Sequence, residues 1–462
     1  MERSAQPRIV AAFPDRPRTR CHAARPDSGR LLPARAGSAA AVLLLALTGC
    51  GSDNDGAPST ERGQVIEKAD IATFTQAQID QLSSAAGLTA LAGPARCDVR
   101  LQRLKYATAG ARGESGATAT AALLVPSGAD CPGPYRLVSY THGTWTVKAL
   151  TQASTSAPET QLLTAMLAAR GFAVVATDYL GFGGSDYAYH PFLHAASEAS
   201  AAVDSLRAAR QALTTDGKAT YTGVLLTGYS QGGHASMATQ KTIEELHAAE
   251  FTIAAAGHMS GPYNLAGSIE TAIALLPGGT GGSTVFVPFA LTSYQKVYGG
   301  LYDDASRYIK APYATGIDSL LPGTLTSSEL VAQGRLPQQL GDLVSGQFIS
   351  DLQTATTPLR QRLDENTLLG WAPRSPTLLC GGRRDPVVPL KNATDAQAAF
   401  AGRGTTVNVI DVESVPAFAS LFPATLTPQQ LADYHGTTVP PLCLNLIRDQ
   451  LFEPFRATAA QP

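Results

Sequence analysis

Gly228-Tyr229-Ser230-Gln231-Gly232 decides the reading of this chain because of what stands on either side of it. A G-x-S-x-G pentad alone is weak evidence in a sequence with 43 glycines among 462 residues. Here it is preceded by Val224-Leu225-Leu226, which reads as a buried strand, and followed by Gly233-His234-Ala235-Ser236-Met237-Ala238, which reads as a helix. Strand, sharp turn and helix in that order form a nucleophile elbow. The turn is tight enough that side chains beside the serine would strike neighbouring backbone, which explains glycine on both sides. The serine hydroxyl then stands exposed above a sheet, at a helix N-terminus whose dipole favours developing negative charge.

Working outward, segments 99–108 and 117–126 read as two antiparallel strands around the polar turn 110–116. Six more strands are predicted over 135–140, 172–177, 221–227, 252–256, 377–380 and 406–412. The fourth, 172–177, is almost wholly apolar, as central parallel strands tend to be. Helices are predicted over 159–170, 193–213 and 230–249. This alternation implies an α/β fold with a mostly parallel eight-stranded sheet, right-handed crossovers and helices flanking it. Residues 261–375 break the pattern with Pro277-Gly278-Gly279 and Gly281-Gly282, and carry Val285, Phe286, Phe289, Tyr294, Tyr298, Tyr302 and Tyr308. They are expected to form a mostly helical cap inserted after the sixth strand, dividing the core into 66–260 and 376–462.

A serine hydroxyl needs a base within hydrogen-bond reach and a group that orients that base. In elbow folds the chain order is nucleophile, acid, histidine. Only His435 lies beyond the late strand, in a predicted loop at Ala432-Asp433-Tyr434-His435-Gly436-Thr437. His190, His194, His234, His247 and His258 read as structural or solvated. The acid is expected to be Asp385, in Gly381-Gly382-Arg383-Arg384-Asp385-Pro386 directly after a strand, where the proline limits the backbone. Asp395, Asp411 and Asp433 are the rivals: one on the next helix, one inside the last strand, one too near His435. The oxyanion hole is expected from the N–H groups of Gln231 and Thr144, with Gly143 as rival to the latter. His142, Gly143, Trp145 and Tyr229 are expected to contact substrate. The glycine-rich run Asp178–Ser185 fits neither phosphate-loop pattern and reads as the floor of the site.

The N-terminus reads as targeting sequence. Eight arginines and several prolines precede an uncharged run, 36–48, too short for the roughly 20 apolar residues of a membrane span. Leu47-Thr48-Gly49-Cys50 closes it. Residues 1–49 are expected to be a leader and lipoprotein signal, Cys50 the lipidated mature N-terminus, and 50–65 a flexible tether. Four further cysteines allow three pairings. Cys97–Cys131 is favoured because it would bracket the N-terminal hairpin, and Cys380–Cys443 because it would tie a late strand to the C-terminal helix. No C-x-x-C pair occurs, so no metal site is expected. Net charge is −2 and charged residues make up 16%, which gives nucleic-acid binding no electrostatic support.

With these residues in place, the chain resembles the α/β-hydrolases, and more narrowly the secretory lipases and esterases of bacteria and fungi. The resemblance rests on Thr141-His142-Gly143-Thr144, Asp178-Tyr179-Leu180-Gly181, Tyr189-His190-Pro191-Phe192-Leu193-His194-Ala195 and Gly228–His234, with Asp385 and His435 at the matching downstream positions. It implies cofactor-free hydrolysis of carboxylic esters, a Ser-His-Asp acyl-enzyme mechanism, and a cap that shapes acyl selection. A small-molecule or polymeric ester is the expected substrate, with membrane contact only through the lipid anchor and export from the cytoplasm. Three alternatives stand beside it: a polyester or plant-polymer esterase, a peptidase on the same fold, and a non-enzymatic surface lipoprotein.

Overall fold

In the computed structural model, residues 61–456 are described. The expected leader, the lipidation residue Cys50 and most of the tether lie outside them. Nine strands form one sheet, ordered β1-β2-β3-β5-β4-β6-β7-β8-β9. They are β1 (Val65–Phe74), β2 (Asp98–Thr108), β3 (Ala117–Ser127), β4 (Arg136–Thr141), β5 (Phe172–Thr177), β6 (Gly223–Tyr229), β7 (Thr252–Met259), β8 (Thr377–Gly381) and β9 (Asn408–Asp411). β1, β2 and β3 are antiparallel to their neighbours, and β4 through β9 run parallel to one another.

The expected count of eight is therefore one too few. The extra strand, β1, pairs with β2 at the sheet edge, and its side chains are mostly exposed or half-buried. An edge strand that buries no continuous face carries no strong alternation in its sequence. It begins at Val65, the last residue of the expected tether, and is followed by the short helices α1 (Gln76–Ala85) and α2 (Thr89–Ala92). The cap accordingly follows the seventh strand of the chain, at the same place in the sequence.

The central strands are apolar because helices cover both faces. Every residue of β4, β5 and β6 is buried. On one face, α4 (Ala195–Thr215) and α5 (Gln231–Leu246) pack Val203, Leu206, Leu213 and Ile243 against Leu137, Val175, Val224 and Leu226. On the other, α3 (Pro158–Met166) contributes Leu162, Leu163 and Met166, beside residues from near the C-terminus.

Between β7 and β8 the chain leaves the sheet and forms α6 (Leu265–Ala274), α7 (Ser283–Tyr298), α8 (Ser327–Ala332), α9 (Leu340–Leu343), α10 (Gly346–Gln353) and α11 (Pro358–Glu365). These helices share a core of their own, with Phe289, Tyr294, Tyr308, Leu340, Phe348 and Leu363 buried together. Phe182 and Phe192, from loops of the sheet domain, join that cluster and tie cap to core. After β8 come α12 (Lys391–Ala401), β9, α13 (Pro428–Asp433) and α14 (Val439–Ile447). Val439, Leu442 and Ile447 of α14 close the α3 face. Disulfides join Cys97 to Cys131 and Cys380 to Cys443.

Candidate active site

Three loops at the C-terminal edge of the parallel strands converge, the usual place for a site in this architecture. The first is the turn after β6. Ser230 sits there at φ 58° and ψ −120°, a conformation few non-glycine residues adopt. Its N–H donates to the Met259 carbonyl at 3.0 Å. A Cβ at Gly228 would lie 2.1 Å from Thr141 Oγ1, and one at Gly232 would lie 1.8 Å from the Thr141 carbonyl oxygen. Both glycines are thus required by the close passage of β4, and the strained serine is held between them.

The second loop follows β8. Asp385 Oδ1 accepts the N–H groups of Val387 and Val388 at 2.9 and 3.0 Å. The turn therefore fixes the carboxylate from below and leaves Oδ2 free to face His435 Nδ1 at 2.7 Å. His435 Nε2 lies 2.8 Å from Ser230 Oγ. Contrary to the expected loop, His435 stands on a π-helical turn, Tyr434–Thr438, between α13 and α14. Such single wide turns are frequent at functional positions because they re-aim a side chain without ending the helix. Tyr229 donates its hydroxyl to the His435 carbonyl, and the two rings lie 5.0 Å apart. On the far side, the Tyr434 hydroxyl donates to Glu413 at 2.5 Å, and a Cβ at Gly382 would meet that hydroxyl at 2.2 Å. The Cys380–Cys443 disulfide joins the strand before Asp385 to the helix after His435. Among the rival acids, Asp411 pairs with Arg383 and Asp395 with Lys391 and Asn264.

The third loop follows β4. Gly143 crosses above the serine: a Cβ there would be 3.8 Å from Ser230 Cβ. Its N–H donates to the Glu159 carboxylate, at 3.2 and 3.3 Å from the two oxygens. The N–H of Gly143, the rival oxyanion donor, is thus engaged with Glu159. Thr144 follows directly and lines the site. Loss of hydration pushes the Glu159 carboxyl up to about 7, although the residue as a whole is only half-buried, since it also lines the cleft. His142 is fully buried beneath the loop and stacks on Trp145, with ring centroids 3.7 Å apart. Burial brings its imidazole down to about 4, so it is neutral, and its Nδ1–H donates to the Gly143 carbonyl at 2.6 Å. His142 thus supports Trp145 from below. Phe182, from the run read as the floor, meets Trp145 edge-on at 5.7 Å.

Gln231 is anchored through its side chain. Its Nε2 donates to Glu198 Oε1 at 2.7 Å and to His190 Nε2 at 2.6 Å. Burial lowers the His190 pKa to about 3, so the ring is neutral, and donation from Nδ1 to the Leu180 carbonyl at 2.9 Å fixes the tautomer whose Nε2 accepts from Gln231. Glu198 also accepts the Leu193 N–H and faces His234 Nδ1 at 3.3 Å. Glu159, Glu198 and His190 are the residues near the site that sequence reasoning passed over. His190 had a signal, since Tyr189–Ala195 carried the resemblance; Glu159 and Glu198 had none, being ordinary first-turn acids of amphipathic helices.

Two cavities meet at Ser230. One, of about 70 Å³, is apolar and runs under the cap between Phe192, Leu265, Ile269, Ala272, Val287 and Ala290, with Thr144, Ser230 and Gln231 at its inner end. The other, of about 460 Å³, is more open and more polar, and is bounded by Leu88, Trp145, Glu159, Tyr229, His435 and Pro440. Phe286 borders both. Among the described residues, no group of three or more His, Cys, Asp or Glu side chains is placed to hold a metal ion.

A serine on a strained strand-to-helix turn, over a mostly parallel sheet and followed along the chain by an acid and a histidine, defines an α/β-hydrolase. The chain belongs to the secretory lipase family, whose model matches residues 146–427. Its fold is similar to that of the rice cell wall degrading esterase LipA from Xanthomonas oryzae, at 35% identity and a TM-score of 0.77 over 86% of this chain and all of that one. It is also similar to Candida antarctica lipase A, at 19% identity and a TM-score of 0.55 over 83% of this chain and 84% of that one, a likeness of fold alone. No curated protein sequence matches it. The protein is a carboxylic ester hydrolase.

Proposed function

We propose that this enzyme cleaves esters through an acyl-enzyme on Ser230. The observation that carries this reading is the unbroken chain Asp385–His435–Ser230, with contacts of 2.7 and 2.8 Å, at the meeting point of the two cavities. His435 Nε2 takes the Ser230 proton as Oγ attacks the carbonyl carbon. The oxyanion is received by the N–H groups of Thr144 and Gln231. His435 then returns the proton to the leaving alkoxide, the C–O bond breaks, and the acyl group remains on Ser230. A water activated by His435 repeats the cycle and releases the acid. Asp385 keeps the Nδ1–H tautomer and balances the transient imidazolium.

The direction of binding follows from proton delivery. The leaving oxygen must lie within reach of His435, which lines the larger cleft, so the alcohol occupies that cleft. The acyl chain then enters the apolar cavity under α6 and α7, where burying each methylene contributes about 0.8 kcal/mol. A second reading places a polymer-borne alcohol in the larger cleft. It is favoured by the cleft's size and openness and by similarity to an esterase described as degrading rice cell wall. Peptide cleavage has no dedicated pocket to support it.

We also propose export and lipid attachment at Cys50. Two disulfides suit an oxidising compartment, and among the described residues no helix is long and apolar enough to cross a membrane. Radiolabelled fatty acid should enter the wild-type protein and not Cys50→Ala; equal labelling would overturn the anchor. The catalytic reading is tested with nitrophenyl esters from acetyl to palmitoyl. Hydrolysis that disappears in Ser230→Ala, together with fluorophosphonate labelling at Ser230, supports it; undiminished turnover in that variant sinks it.

A further inference from the structure

Glu159 stands where the loop bearing Thr144 is anchored, at the edge of the larger cleft, and the proton relay does not use it. Its carboxylate takes hydrogen bonds from two sides. The Tyr140 hydroxyl, near the end of β4, donates to Oε2 at 2.5 Å, and the Gly143 N–H donates to both oxygens. Among the described residues it makes no ion pair. A Cβ added at Gly143 would lie 3.5 Å from Glu159 Oε1 and 3.8 Å from Ser230 Cβ, so this glycine is held between the carboxylate and the serine.

An unneutralised carboxylate beside a developing oxyanion opposes the reaction electrostatically and costs free energy to desolvate. Its geometry shows what offsets that cost. Successive amides in this loop have two partners to choose between: the carboxylate on one side and the reacting carbonyl oxygen on the other. With the Gly143 N–H drawn to Glu159, the next amide in the loop is that of Thr144, which lines both cavities beside Ser230.

Resting on the serine-esterase reading above, we propose that Glu159 is a positioning residue for the oxyanion hole. By accepting the Gly143 N–H, with Tyr140 steadying its carboxyl, it sets the Gly143–Thr144 peptide so that the Thr144 N–H faces the oxyanion. Glu159 itself touches neither the reacting atoms nor the proton relay.

The test uses the full chain, nitrophenyl butyrate and phenylboronic acid, whose reversible tetrahedral adduct on serine places an oxygen in the oxyanion hole. Glu159→Met keeps the bulk and removes the acceptor. Losing a whole oxyanion donor costs 10²–10³ in kcat, so a misaimed one is expected to cost about 30-fold. KM should stay within about threefold and boronate affinity should weaken by about the same factor as kcat falls. Glu159→Gln, which retains an acceptor oxygen, should recover kcat to within about threefold of wild type. Tyr140→Phe, which removes only the steadying hydroxyl, should lower kcat about threefold at constant KM, and decides the matter if Glu159→Met fails to fold. Wild-type kcat and boronate affinity in Glu159→Met, or in Tyr140→Phe where that variant decides, would overturn the proposal while leaving the esterase reading intact. Absence of Ser230-dependent hydrolysis in the wild type would overturn both.

Discussion

The sheet domain and the cap solve different problems with different means. Around the elbow, single atoms decide what can stand at a position: Gly232 has no room for a Cβ, Ser230 holds a positive φ, and Asp385 uses one oxygen for its own turn and the other for His435. In the cap, the apolar cavity is walled by Leu265, Ile269, Ala272, Val287 and Ala290, which meet its occupant through shape alone. A domain of the first kind tolerates almost no change at its key positions, whereas one of the second kind can change what it admits without disturbing the chemistry.

That contrast predicts its own largest effect. Ser230→Ala should lower kcat by about 10⁵-fold, since removing a triad nucleophile costs as much as removing the triad. KM for a short ester should move little, because the cavity walls are untouched. Steady-state kinetics on nitrophenyl acetate checks this, and a loss under 100-fold would mean that the elbow serine is not the centre of the chemistry.

The two disulfides allow a finer comparison within the sheet domain. They close spans of 34 and 63 residues, so loop entropy assigns each about 4 kcal/mol. Their places differ. Cys97–Cys131 lies before the site in the chain, while Cys380–Cys443 joins the strand leading to Asp385 with the helix leaving His435. Replacing either pair by serines should lower chemical stability by similar amounts, but only loss of Cys380–Cys443 should also lower kcat, by about tenfold, at a temperature where both variants remain folded. Denaturant unfolding beside kinetics separates the two. Equal kcat losses would mean that the bridge stabilises without aligning acid and base.

Acid should attack the sheet domain first. No histidine occurs in residues 261–375, whereas burial lowers His142 to about 4, His190 to about 3 and His258 to about 3. The unfolded chain takes up protons at these groups below about 6.5 and the folded chain does not, so the unfolded state binds more protons and stability rises with pH across that window. Asp178, raised to about 6 by burial, and Glu159, raised to about 7, act with the opposite sign and partly offset the histidines. Each depressed histidine contributes a loss of about 1.4 kcal/mol per pH unit below 6.5 until its folded pKa is reached. Melting temperature should therefore fall from pH 6.5 to pH 4, and His258→Gln should shallow the slope by one proton; an unchanged slope would mean that the imidazole titrates alike in both states.

How much of this was legible beforehand divides along the same line. The elbow, Asp385 and His435 could be read because each rests on a local constraint written in adjacent residues: glycines around a serine, a turn after an apolar strand, a histidine at the correct end of the chain. Strand β1 could not, because a solvent-facing edge strand buries too little to leave a period-two pattern. Glu159 and Glu198 were invisible for another reason. Their partners, Gly143 and Gln231, come from distant parts of the chain, the loop after β4 and the start of α5, and nothing in a helix-opening glutamate announces which amide it will meet. The Gly/Pro breaks marked the cap as irregular, but which of its apolar residues face the cavity and which face one another depends on how the helices cross, which no single segment records.

The most selective effect expected, confined to long acyl chains, is also the one that most sharpens the comparison. Ala272, on α6, is buried and borders the apolar cavity away from the relay. Ala272→Leu replaces a methyl with an isobutyl group in that wall. If the acyl chain lies there, kcat/KM for the longest accepted nitrophenyl ester should fall by about 10-fold relative to acetate, the scale on which apolar pockets discriminate by a methylene or two. Labelling of Ser230 by a small fluorophosphonate should keep its rate, because the elbow, Asp385 and His435 are unmoved. A loss spread equally over all chain lengths would mean that the cap is mechanically part of the catalytic centre, and a change confined to bulky alcohols would put the acyl chain in the larger cleft instead.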